Sequence, residues 1–164
     1  MTLRPSSGQA KSIVVFAIGN PSRGDDAIGP ECYGQLEKWL KNENLSEHVE
    51  LIEDFQLNIE HALDLQGRQL AIFIDAGENT PAPYEFRPIF RSTVASHSTH
   101  ALPPESVLQV YWQMEGEEPP ASLLLCVRGE SFELGADLSV TVQQRLPDAI
   151  AELKRAIQQL APAA

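Results

Sequence analysis

Short runs of β-branched and aromatic residues alternate along the chain with segments whose apolar positions recur every three or four residues. The run SIVVFAI at 12–18 has no polar interruption after Ser12 and predicts a strand covered on both faces. Behind the turn-rich GNPSRGDD, Ile28, Cys32, Leu36 and Leu40 recur at every fourth position. Pro30 fits only a first helical turn, so this helix should begin close to Asp26. VELIED at 49–54 reads as a second strand, Asn58–Leu65 as a short helix that stops before Gly67, and LAIFIDA at 70–76 as a third, buried strand. YEFRPIF at 84–90 alternates but carries Pro88, which suits a sheet edge. Pro103 and Pro104 open a helix bearing Val107, Leu108, Tyr111 and Met114, and SLLLCVR at 122–128 follows as a strand. In the last helix Leu146, Ile150, Leu153, Ile157 and Leu160 step by four and three, with Pro147 expected to kink it or to restart it after a first turn at Ser139.

Strands and helices alternating at this spacing predict the α/β class: a single three-layer domain, a mostly parallel twisted sheet with helices on both faces. The length of 164 residues suits one domain, expected over 11–160, with residues 1–10 and 161–164 as loose ends. No repeat or composition break marks a second unit.

Charge narrows the partners. Twenty-three acidic against twelve basic side chains give a net charge of −11, which disfavours nucleic acid and anionic membrane surfaces. No apolar run is long enough to span a bilayer and the first ten residues lack the apolar stretch of a secretory signal, so the expected compartment is the cytoplasm. Cys32 and Cys126 have no second cysteine or histidine at metal-finger spacing and are expected to be small buried hydrophobes. A G-x-S-x-G elbow, an HExxH helix and a P-loop are all missing, and neither cysteine stands next to a histidine, so no nucleophile is evident.

In a parallel sheet the ligand crevice lies beyond the carboxyl ends of the strands, which makes three places candidates: the GNPSRGDD loop, Asp75, and the His97–His100 region. Asp25 and Asp26 both stand at a helix start. Asp25 is read as the cap, so that Asp25→Asn should cost at most about 1 kcal/mol. Two adjacent carboxylates cannot both cap one helix, which leaves Asp26 for the crevice. Asp75 ends an apolar run, where a carboxylate needs a hydrogen bond, a partner or a metal. His97 and His100 have a spacing compatible with two ligands on one metal and equally with a polar loop, while His48 and His61 are read as surface or structural. Two carboxylates and an imidazole would suit a borderline divalent ion such as nickel, zinc, manganese or iron.

The segments A-I-G-N-P-S-R-G-D-D-A-I-G-P (Ala17–Pro30), F-I-D-A (Phe73–Ala76), S-T-H-A-L (Ser98–Leu102) and L-L-C-V-R-G-E-S-F-E-L-G-A-D-L-S (Leu124–Ser139) together resemble the hydrogenase maturation endopeptidases, in order, from about residue 13 to about 158. The resemblance implies the layered scaffold of phosphorylases and peptidyl-tRNA hydrolases. It further implies an endopeptidase that removes the C-terminal extension of a nickel-loaded nickel-iron hydrogenase large-subunit precursor without an organic cofactor, and the acidic charge and single domain are compatible with a monomer. By motif, Asp26, Asp75 and His100 are the implied catalytic and metal-meeting residues, with His97 as a further candidate ligand; the nickel would arrive with the substrate.

The sequence departs from the family at Ala17 for a common glycine, at Asp26 for the longer glutamate of some members, and at R-G-E-S for a proline-containing turn. Phe55–His61 stands where other members have a glycine-rich turn, which suggests a partner surface of its own. Two other readings share these residues: a non-catalytic chaperone of the loaded subunit, and a hydrolase akin to peptidyl-tRNA hydrolase, against which the acidic charge argues.

Overall fold

The computed structural model describes residues 10–93 and 102–161. The two ends expected to be loose lie outside the described residues, except for residues 10 and 161. Among the described residues five strands and three helices follow one another as β1 (Ile13–Ile18), α1 (Ile28–Asn42), β2 (Val49–Asp54), β3 (Leu70–Gly77), β4 (Tyr84–Ile89), α2 (Pro104–Glu115), β5 (Ala121–Arg128) and α3 (Val140–Leu160). A 3₁₀ turn, Gly24–Ala27, leads into α1, and a 3₁₀ helix, Ile59–Leu65, joins β2 to β3.

The sheet runs in the order β2-β1-β3-β5-β4, parallel throughout except for β4, which pairs antiparallel with β5 at the edge. Pro88 therefore sits where a missing N–H leaves no ladder incomplete on the outer side. Every residue of β1 is buried because the sheet is covered twice. Ile13 and Val15 join Ile72 and Ile74 in the layer beneath α1 and α3; Val14, Phe16 and Ile18 join Phe73 in the layer beneath the 3₁₀ helix and α2. The Phe16 and Phe73 rings stack at 4.8 Å, tying the two central strands together on that second face.

The helical periodicities behave as expected, with Ile28, Cys32, Leu36 and Leu40 all buried. Of the two expectations for Pro147, a kink or a restart, the restart does not occur: α3 runs on through it, capped by Ser139, whose hydroxyl accepts the Val142 N–H at 3.3 Å. Pro147 is exposed, so the carbonyl that loses its helical partner there can turn to water. Cys126 corrects another, being only half-buried, with its Sγ 2.9 Å from Thr80 Oγ1. Among the described residues no helix is long and apolar enough to cross a membrane.

Helix α1 can begin beside the end of β1 because residue 29 has no side chain. A Cβ there would lie 2.3 Å from the Ile18 carbonyl oxygen and 2.7 Å from its nitrogen, both backbone atoms that cannot step aside. Gly29→Ala is thus expected to lower stability by roughly 2–3 kcal/mol, as overpacking does. Urea unfolding checks this, and a loss below about 0.5 kcal/mol would show that helix and strand separate easily.

Candidate active site

The site begins where the chain leaves β1. Gly19 has φ 149°, and a Cβ on it would sit 2.0 Å from the Asp26 carbonyl oxygen, so only glycine allows the loop to fold back on itself here. Inside the loop the Asn20 N–H donates to Asp26 Oδ2 at 2.8 Å, the Ser22 N–H to Asn20 Oδ1 at 2.9 Å and the Asp26 N–H to the Arg23 carbonyl at 3.0 Å. These bonds fix the backbone of residues 19–26 and leave the rest of the Asp26 carboxylate directed to an open cleft.

Asp25 points the other way and is fully buried. It accepts the N–H groups of Glu130 at 2.7 Å, Ser131 at 3.1 Å and Ser139 at 2.7 Å, and the Ser139 hydroxyl at 2.9 Å. Burial alone would push its carboxyl up, but the donors on Ser139, Glu130 and Ser131 together outweigh burial and hold it below the ordinary carboxylate range. The capping role expected of Asp25 is therefore incorrect. The 3₁₀ turn has no side-chain cap, and this carboxylate anchors the loop after β5 instead.

Asp75 lies near the carboxyl end of β3, opposite Cys126 in the ladder, and its Oδ1 accepts the Ala76 N–H at 2.8 Å. Burial pushes its pKa up to about 7; the Ala76 bond opposes this, and the neighbouring Asp26 charge adds to it. Asp26 and Asp75 line one cleft of about 350 Å³, together with Ile18, Arg23, Glu78 and Phe132. A second hollow of about 510 Å³ is also lined by Glu78 and Phe132. The cleft sits between β1 and β3, where the strand order reverses: β1 leads outward to β2, and the chain then crosses to β3 on the other side of β1.

No protein-family model and no curated protein matches the chain. Solved structures do. The hydrogenase maturating endopeptidase HybD from E. coli superposes with a TM-score of 0.71 at 24% identity, over 90% of this chain and 92% of that one. An endopeptidase from Escherichia coli, solved in solution, gives 0.67 at 25%, over 90% and 92%. The nickel-iron hydrogenase maturation protease HycI from Thermococcus kodakarensis KOD1 gives 0.64 at 25%, over 91% and 93%. The chain has the fold of the hydrogenase maturation endopeptidases and resembles them over nine-tenths of its length.

Of the three residues that the likeness to these endopeptidases singles out, Asp26 and Asp75 share the cleft, whereas His100, like His97, lies outside the described residues. Leu102, two positions after His100, lines the cleft. Among the described residues no group of three His, Cys, Asp or Glu side chains stands close enough to hold a metal ion. His61 is structural: it is buried, its Nδ1 accepts the Asn58 N–H at 2.9 Å, and its Nε2 lies 3.3 Å from Asp54. Both thiols are poor nucleophiles, since burial raises Cys32 to about 12 and also raises Cys126, the latter helped by the Asp75 charge. Arg23, Glu78 and Phe132 were not anticipated as cleft residues. Arg23 lay inside a loop already under suspicion, whereas nothing in the order of residues joins Phe132 to Asp75.

Asp25 and Asp75 make stability depend on pH in opposite senses. Asp25, low in the folded protein, contributes stability above its unfolded value that is lost as pH falls through the folded one. Asparagine at that position would turn an amide N–H₂ towards some of the four donors, so Asp25→Asn should cost roughly 2–4 kcal/mol at neutral pH, several times what a cap is worth. A urea midpoint equal to wild type would refute the anchoring role. Asp75, raised in the folded protein, contributes stability that is full below its unfolded value and is lost as pH rises through about 7. Asp75→Asn should therefore gain on the wild type between pH 5 and pH 8 by on the order of 2 kcal/mol. The same stability difference at both pH values would show that the carboxyl has ordinary surroundings.

Proposed function

We propose that this chain removes the C-terminal extension of a nickel-loaded nickel-iron hydrogenase large-subunit precursor, with Asp26, Asp75 and His100 meeting the nickel that the substrate carries and His97 as a further candidate. The observation that carries the reading is the meeting of Asp26 and Asp75, from the ends of two different strands, in one cleft of a chain with this fold.

The chemistry of the donor set supports it. Asp75 is a carboxyl short of positive partners: burial and the Asp26 charge both work against its ionised form, and a single backbone N–H opposes them. A divalent ion brought into the cleft would supply the missing charge and favour both carboxylates. The metal belongs to the cargo, so the peptidase would engage a loaded precursor more strongly than an empty one. The two hollows, with Glu78 and Phe132 lining both, would offer an extended peptide a path. Hydrolysis would follow from a carbonyl or a water polarised by the substrate's nickel, with a cleft carboxylate taking the proton of the attacking water.

Purified protein incubated with nickel-loaded and nickel-free precursor should shorten only the loaded one, as read by the mass of the subunit. Asp26→Asn, Asp75→Asn and His100→Ala should each slow processing at least about 100-fold, the scale of losing a general base or a metal contact, with the fold retained by circular dichroism. Wild-type rates in any variant would remove that residue from the site. Stable binding of loaded precursor without a change in its mass would establish the chaperone reading instead.

A further inference from the structure

Arg23 differs from the other arginines among the described residues. Seven of the eight lie among the described residues, and six of these seven pair with a glutamate, as Arg68 does with Glu50 and Arg145 with Glu130. Arg23 has no carboxylate within 4.0 Å among the described residues, although acidic side chains outnumber basic ones by 23 to 12. The segments outside the described residues contain no Asp or Glu that could serve it. It is also the one cation lining the cleft among the described residues, where Asp26, Asp75 and Glu78 are the other charged groups.

Its backbone is held on both sides. The Arg23 N–H donates to Asn20, the Gly24 N–H to the Ala136 carbonyl at 3.0 Å, and the Gly135 N–H to the Ser22 carbonyl at 2.7 Å. An exposed guanidinium on so fixed a base loses less freedom on binding than one on a mobile loop. Its planar fork matches a carboxylate through two parallel hydrogen bonds.

We propose that Arg23 is a substrate-binding residue that holds a carboxylate of the precursor's C-terminal region in the cleft containing Asp26 and Asp75. The proposal rests on the endopeptidase reading and adds to it a charge preference in the substrate. The carboxylate comes either from an acidic side chain near the cleavage point or from the chain terminus, and the two sources separate experimentally.

The test compares wild type, Arg23→Lys and Arg23→Gln on a nickel-loaded precursor that the wild type cleaves. Arg23→Gln should raise KM by about 10- to 100-fold, the worth of a charged hydrogen-bonded pair, with kcat little changed. Arg23→Lys should fall between the two, and the melting temperature should not move, because the side chain is exposed and holds no carboxylate partner among the described residues. Precursors with their tail Asp and Glu residues neutralised, or lengthened by a short glycine tail that displaces the terminal carboxylate, identify the source. The precursor lacking the right carboxylate should lose the same factor with wild type and nothing further with Arg23→Gln. A KM for Arg23→Gln within about twofold of wild type, a loss confined to kcat, or losses that simply multiply would overturn the proposal. A wild type that cleaves no loaded precursor would refute the endopeptidase reading itself, and Arg23's role with it.

Discussion

A carboxylate sealed from water stays ionised only if donors replace its hydration. Asp25 meets that condition with three backbone N–H groups and a hydroxyl, all from residues 130–139, more than a hundred positions along the chain. Those bonds join the loop after β1 to the loop after β5, and with them two walls of the cleft. Ser139 extends the connection: its hydroxyl donates to Asp25 and accepts from Val142, so the first turn of α3 is positioned by the same carboxylate. Around this anchor the backbone bonds from Asp25 to Ser131, Gly24 to Ala136 and Gly135 to Ser22 complete one rigid frame.

The frame explains how two neighbouring aspartates come to do unlike things. They occupy a 3₁₀ turn, in which successive residues point about 120° apart. When one carboxylate is drawn into the protein, the next is turned outward, and here outward means the cleft. Asp26 inherits its direction from Asp25, and Arg23 stands at the start of the same turn. Gly19 and Gly29 supply the close approaches that let this turn sit against the end of β1, since a side chain at either would strike backbone.

Asp75 reaches the cleft by a different route. It prolongs a buried strand, so the packing that makes β3 a central strand also withdraws water from its last carboxyl. The cleft thus holds two half-buried carboxylates, each accepting one backbone N–H, and on the proposed reading the cation carried by the substrate offsets their charge. On the same reading Arg23, which has no carboxylate partner among the described residues, calls for a substrate that presents a carboxylate of its own.

The order of residues was enough to establish the elements. Strand runs without polar interruption, four-residue spacing in α1 and α3, Pro88 on the edge strand and Pro104 opening α2 all follow from local rules, and so does the alternation that makes the sheet mostly parallel. Asp26 and Asp75 were also legible, because residues just beyond parallel strands converge on one rim whatever the details of packing. Asp25 was misread for a physical reason: its partners are backbone N–H groups of a distant loop, and a backbone donor leaves no mark in the residue types. The same holds for Phe132 and Arg23, whose significance depends on which groups stand near them and which do not. Local sequence thus determined strands, helices and the two carboxylates at their ends, while only the tertiary structure decided which aspartate is anchor and which faces the cleft, because that choice is made by contacts between loops that the chain brings together last.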